Sequence, residues 1–168
     1  MNIDLSGKVA LVTGGGRGIG RACCLALAEA GAAVAINYSA SEEAAEEVRA
    51  AIEEGGGRAA TYRADVSSFE LVGSMFEALK EDFAALDILV NNAGVIKDTL
   101  LFRMKPADWD KVIGVSLNGV YNSTLIACDG RQVSVADLYC DNDDPYPAYG
   151  RFVGIDGMEG CDWIGGIL

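Results

Sequence analysis

Five glycines fall within the eight residues Thr13-Gly14-Gly15-Gly16-Arg17-Gly18-Ile19-Gly20. They stand between the apolar run Val9-Ala10-Leu11-Val12 and a helical pattern that extends from Ile19 to Ala30. A short buried strand that turns on glycine straight into a helix leaves few choices of architecture. Glycine there permits a tight turn, and it lets backbone N–H groups at a helix N-terminus approach a pyrophosphate closely. The feature therefore constrains both the fold and the class of ligand.

The remainder of the first 124 residues repeats the same alternation. Ala33–Ile36, Ala59–Ala64 and Asp87–Val90 read as further strands, each followed by turn residues or a helical pattern. Ser41 is expected to cap a helix whose Glu42, Glu43, Glu46 and Glu47 form a solvated acidic face, and Gly55-Gly56-Gly57 should stop it. Ser68 to Ala85 gives a third helix, and Pro106 opens another through Trp109, Val112 and Ile113. Apolar strands alternating with helices predict a parallel sheet covered on both faces.

Composition narrows the function. The 168 residues are 51% hydrophobic with a net charge of −12, which points away from nucleic acid and anionic membranes as partners. No apolar run reaches the ~18 residues of a membrane span. The N-terminus, with Asp4 and one short apolar run, does not read as a signal peptide, so a cytoplasmic location is expected. Histidine is absent, which removes His-based triads and His metal sites. The five cysteines (Cys23, Cys24, Cys128, Cys140, Cys161) include no C-x-x-C pair. Cys23 and Cys24 are expected to be small buried apolar residues, and no metal site is assigned.

The cofactor reading follows from charge at the turn. In the NAD-binding version an acid follows the glycine loop by about 20 residues and binds the ribose hydroxyls. Here Ile36-Asn37-Tyr38-Ser39-Ala40-Ser41 holds none. Arg17 lies inside the loop instead, where a guanidinium can pair with a 2′-phosphate, and Ser39 leaves room for it. NADP(H) is expected over NAD(H).

The T-G-x-x-x-G-x-G loop at Thr13–Gly20, Asp65-Val66 after the third strand and Asn91-Asn92-Ala93-Gly94 after the fourth together resemble the short-chain dehydrogenase/reductase family. The likeness covers residues 5 to about 124. Val95 to Met104 is most similar to the 3-oxoacyl-acyl-carrier-protein reductases. The resemblance implies a Rossmann-type three-layer α/β fold, strand order 3-2-1-4, and hydride transfer from NADPH to a carbonyl of a small molecule or acyl thioester. It further implies that Gly14, Gly16, Arg17, Gly18, Ile19 and Gly20 hold the cofactor with Ser39. Asp65 and Val66 would hold its adenine, Asn92, Ala93 and Gly94 would line the ribose, and Asn91 would brace the sheet.

The family's second half is where this sequence departs. The family pattern requires Tyr-x-x-x-Lys, a Ser on the fifth strand and an Asn on the fourth helix. The last lysine is Lys111, Tyr149 is followed four residues later by Val153, and Ser116 stands where the helix Asn is expected. No catalytic residue is assigned. Gly130 to Val135 echoes the fifth strand only faintly and arrives too early, with Asp137 in the place of the Ser. Residues 129–168 hold eight acids against two bases, Arg131 and Arg151, with seven glycines and no sustained helical period. The chain is thus read as an NADP(H)-binding part, 1–124, and an acidic Gly/Asp/Tyr-rich tail, 125–168, poorly structured and not family-like. Asp141-Asn142-Asp143-Asp144 lacks the Gly and Glu of a calcium loop. The fold is expected to stop after the fourth strand and helix. That would leave an apolar edge prone to self-association unless Val133–Ala136 pairs with it. Two other readings stay open: a non-catalytic dinucleotide-binding module, and a truncated or frame-shifted product.

Overall fold

Val9, Ala10, Leu11 and Val12 are all buried. A strand can bury consecutive side chains only when layers cover both of its faces. The computed structural model, which describes residues 3–128 and the backbone of 134–136, supplies those layers. The elements run β1 (Val9–Val12), α1 (Gly18–Glu29), β2 (Ala33–Tyr38), α2 (Glu42–Glu54), β3 (Ala59–Arg63), α3 (Phe69–Phe83), β4 (Ile88–Val90), α4 (Pro106–Ile113), α5 (Gly119–Cys128) and β5 (Ser134–Ala136). A 3-10 turn, Leu101–Arg103, precedes α4, and a π-helical turn, Gly114–Asn118, joins α4 to α5.

All strand pairs are parallel, in the order β3-β2-β1-β4-β5. The expected order 3-2-1-4 is therefore present, and one more strand extends it. Ser134, Val135 and Ala136 pair with Ile88, Leu89 and Val90, so β4 is not the sheet edge. The faint fifth-strand echo occupies that place. Residues 125–128, read as the start of the tail, belong to α5, with Ala127 and Cys128 in the core; Tyr149, the Asp141–Asp144 cluster, Cys140 and Cys161 lie outside the described residues.

Register explains the two cores. Leu11 stands opposite Ala35 and Leu89, and all three join Val72, Phe76 and Leu79 of α3 with Ala127 and Cys128 of α5. Val12 stands opposite Ile36 and Val90, and this row packs with Cys24 of α1 and Ala45, Val48 and Ile52 of α2. Alternation along each strand thus sends successive side chains to opposite layers. Each fully buried Phe or Leu in these layers contributes about 1.5–3 kcal/mol by leaving water.

Helix ends agree with the sequence in part. The Ser68 hydroxyl accepts from Leu71 N at 3.3 Å, Pro106 opens α4, and Gly55 caps the end of α2. Ser41 departs from expectation. Its side chain makes no capping hydrogen bond to α2, because its backbone at φ −101°, ψ 74° lies outside the usual cap geometry. Of the vicinal cysteines, only Cys24 is fully buried. Cys23 lies beside it on the helix and is half-buried.

Candidate functional site

The glycine loop leaves β1 at Thr13 and enters α1 at Gly18. Two of its residues need glycine for their backbone: Gly14 has φ +65° and Gly18 has φ +56°. Gly14 also packs closely, since a Cβ there would lie 3.0 Å from Ala93 Cα. A Cβ on Gly18 would meet nothing, so the loop is open on that side. Arg17 is the N-cap of α1, extended at φ −154°, and its side chain caps nothing. No acid lies in the first turn. The positive end of the α1 dipole and its first N–H groups are therefore free for an anion.

Three polar side chains hold this loop from below. Thr13, buried, accepts at Oγ1 from Asn92 N and Ala93 N, both at 3.0 Å, and donates to Val90 O at 3.3 Å. Asn92 Nδ2 returns the contact by donating to Thr13 O at 2.9 Å and Gly14 O at 3.1 Å. Gly20 sits where a Cβ would collide with Asn92 Nδ2 and Gly14 O, so the helix can approach only without a side chain. Asn37, 1% exposed, accepts from Gly14 N at 3.2 Å and donates to Ala64 O at 3.1 Å and Tyr62 O at 3.3 Å. It fastens the loop to the carboxyl end of β3. The sequence reading passed over Asn37 as part of an acid-free stretch. Its signal was an amide side chain inside an otherwise apolar strand, where burial demands partners.

The loop after β3 is held similarly. Asp65, exposed, accepts from Ser67 N at 3.0 Å and Ser67 Oγ at 2.7 Å. Val66 is buried, and its carbonyl accepts from Asn122 Nδ2 of α5 at 2.9 Å. Gly119 lies against Val66, where a Cβ would come within 2.6 Å of Cγ2. Asn122 is a second residue that the sequence reading missed. After β4, Asn91 Nδ2 donates to Thr124 Oγ1 at 3.0 Å, tying the sheet to α5, while Asn92 and Ala93 are half-buried and Gly94 is exposed. Gly14, Gly16, Arg17, Gly18, Ile19, Gly20, Ser39, Asp65, Val66, Asn92, Ala93 and Gly94 all lie at or just beyond the carboxyl ends of β1–β4.

Charge at the β2–α2 turn is mixed. Ser39 is exposed, and Tyr38 before it is nearly buried. Burial and then the neighbouring Glu42 carboxylate push the Tyr38 phenol above its ordinary range, with Arg63 acting the other way. Beneath the loop, burial pushes the Cys24 thiol up to about 12, so it stays neutral and serves as packing.

Ser116 lies in the π-helical turn, and its Oγ accepts from Val95 N at 3.4 Å. Lys97 reaches Asp108 at 3.3 Å and ties the same segment to α4. Among the described residues no helix is long and apolar enough to cross a membrane, and no group of three His, Cys, Asp or Glu side chains could hold a metal.

Comparison with known proteins places this geometry in context. Residues 8–130 match the model of the short chain dehydrogenase family. The 3-oxoacyl-acyl-carrier-protein reductase of Synechocystis sp. is 46% identical over 120 residues, which are 71% of this chain and 49% of that protein. The reductase of the same name from Staphylococcus aureus strain Mu50 is 47% identical over 115 residues, covering 68% of this chain and 47% of its own length. The chain thus spans about half the length of the curated relatives it matches. A short chain dehydrogenase from Burkholderia cenocepacia J2315, solved in complex with NADP, superposes with a TM-score of 0.72 at 39% identity over 78% of this chain and 55% of that one. A dehydrogenase/reductase from Sinorhizobium meliloti 1021 gives a TM-score of 0.76 at 37% identity, covering 87% of this chain and 60% of its own.

Proposed function

The chain belongs to the short-chain dehydrogenase family, and from that premise we propose that residues 1–124 form the NADP(H)-binding half of a carbonyl reductase. The observation that carries the reading is the open N-terminus of α1. It has no side-chain cap and no acid in its first turn, and it is braced by Thr13, Asn37 and Asn92. The glycines fit a pyrophosphate because backbone, not side chain, faces the open side at Gly18. Gly14, Gly16, Gly18 and Gly20 shape the cradle, with Ile19 exposed beside it. Arg17 and Ser39 receive the 2′-phosphate, Asp65 and Val66 the adenine, and Asn92, Ala93 and Gly94 the ribose. When bound, the nicotinamide supplies or accepts the hydride. The substrate class is a small carbonyl compound or 3-oxoacyl thioester, carried over from the relatives' names.

Catalysis in this chain is impaired under the same proposal. Hydride addition leaves negative charge on oxygen, and a positioned acid normally relieves it. Residues 112–168 contain no lysine to lower the pKa of Tyr149, and Ser116 offers a hydroxyl where the family pattern places an amide. Losing general acid catalysis removes roughly 10²–10⁴ in rate. The same two departures favour the second reading, a dinucleotide-binding module without turnover. Calorimetric titration with NADPH and NADH tests the binding reading, and tighter NADH binding would overturn it. NADPH oxidation with an acetoacetyl thioester tests the impairment. Turnover in the ordinary range of ~1–10³ per second would refute it.

A further inference from the structure

We propose that Arg63, at the carboxyl end of β3, is a second cation of the dinucleotide site that works with Arg17 on an adenosine 2′-phosphate and so determines preference for the phosphorylated dinucleotide. The proposal rests on the NADP(H) reading above.

Two approaches converge on the turn between β2 and α2. From one side, the glycine loop abuts the first turn of α2: a Cβ on Gly16 would lie 3.2 Å from Ala45 N and 3.4 Å from the Ala44 carbonyl carbon. Arg17 follows Gly16 directly. From the other side, β3 pairs with β2 in a register that sets Arg63 opposite Tyr38, the residue before Ser39. Tyr62 and Ala64 turn into the layer of α3. Alternation therefore sends Arg63 to the α2 side, together with Thr61, whose hydroxyl reaches Glu46 of α2 at 2.5 Å.

Glu46, on the same α2 side, is already engaged by Thr61 and by Arg49 at 2.7 Å. Glu42 stands at the Tyr38 phenol, which also feels the positive charge of Arg63. Arg63 itself is exposed and, among the described residues, makes no ion pair or hydrogen bond through its side chain. Ser41 does not cap α2, whose first turn carries Glu42 and Glu43. A phosphomonoester above Ser39 would meet a guanidinium on either flank, whereas a 2′-hydroxyl would gain nothing from the second one.

The test is calorimetric titration of the full chain with adenosine 2′,5′-bisphosphate and with adenosine 5′-monophosphate. The wild type should bind the bisphosphate more tightly. Arg63→Ala should weaken bisphosphate binding about tenfold while changing monophosphate binding less than about twofold. Arg63→Lys should recover most of the loss, and added salt should shrink the difference between the two ligands. Equal loss for both ligands, or no loss for either, overturns the proposal. Should the wild type show no preference for the bisphosphate, the NADP(H) reading falls and this inference falls with it. Preference retained in Arg63→Ala but lost in Arg17→Ala overturns the role of Arg63 alone. An unchanged thermal midpoint in Arg63→Ala and Arg63→Gln separates ligand contact from damage to the fold.

Discussion

The hydroxyl of Thr13 accepts two backbone N–H groups, from Asn92 and Ala93, and donates to Val90 O. Valine has the same shape and none of these capacities. Thr13→Val should therefore leave Asn92 N and Ala93 N without an acceptor at a site only 2% exposed, costing about 2 kcal/mol or more in stability. Urea unfolding would measure this, and NADPH affinity should fall in parallel because the glycine loop loses its brace. An unchanged urea midpoint would show that the hydroxyl holds nothing of consequence. Thr13 and Asn92 were legible in the sequence as members of spaced motifs. Asn37 was not. Its amide spans Gly14 N, Tyr62 O and Ala64 O, which lie 23 or more residues away, and they meet it only once β1, β2 and β3 are ordered.

At the scale of elements, α4, the π-helical turn and α5 form one run from Pro106 to Cys128. Helical periodicity suggested a helix here. It could not reveal the extra residue per turn at Gly114–Asn118, because such a bulge is set by packing and leaves the apolar pattern unbroken. Downstream of that turn, Gly119 meets Val66 and Asn122 donates to Val66 O. Gly119→Ala would drive a methyl group to within 2.6 Å of Val66 Cγ2, forcing the β3–α3 loop outward. Overpacking of this kind costs about 1–3 kcal/mol, despite the better helix propensity of alanine. The expected result is a lower thermal midpoint together with weaker adenosine binding. A higher midpoint would mean that Val66 yields freely and that α5 does not position the loop.

The whole molecule presents Ile96, Leu100, Leu101, Phe102, Trp109 and Leu117, between β4 and α5, and Tyr121 of α5 to solvent, with Ile96 at 84% and Phe102 at 80% exposure. Because β5 pairs with β4, association is expected to arise from this apolar surface and not from the edge of β4. Size-exclusion chromatography with light scattering should show assemblies larger than one chain, and Phe102→Asp should reduce them. A single monomeric species in the unmodified protein would remove the expectation. Stability should also depend on alkaline pH. Burial raises the Cys24 thiol to about 12 and, together with Asp82, raises the Tyr62 phenol, so the native state keeps protons that the unfolded chain gives up. The unfolded state then binds fewer protons above about pH 9, and stability must fall as pH rises from there towards 12. Urea midpoints across that window check the sign, and Cys24→Ala should remove part of the slope.

The parallel sheet and the glycine turn between its first strand and helix were legible in the sequence itself, and the order 3-2-1-4 followed from the family resemblance. Local signals carry the sheet and the turn: apolar runs fit only strands covered on both faces, and glycines with positive φ fit only a tight strand-to-helix turn. Other features required the assembled chain. The pairing of Ser134–Ala136 with β4, the idle side chain of Ser41, the brace at Asn37 and the alignment of Arg63 with Tyr38 were decided by tertiary structure. Each depends on which distant backbone groups arrive beside a residue, and hydrogen-bond partners and strand register exist only after the layers have packed.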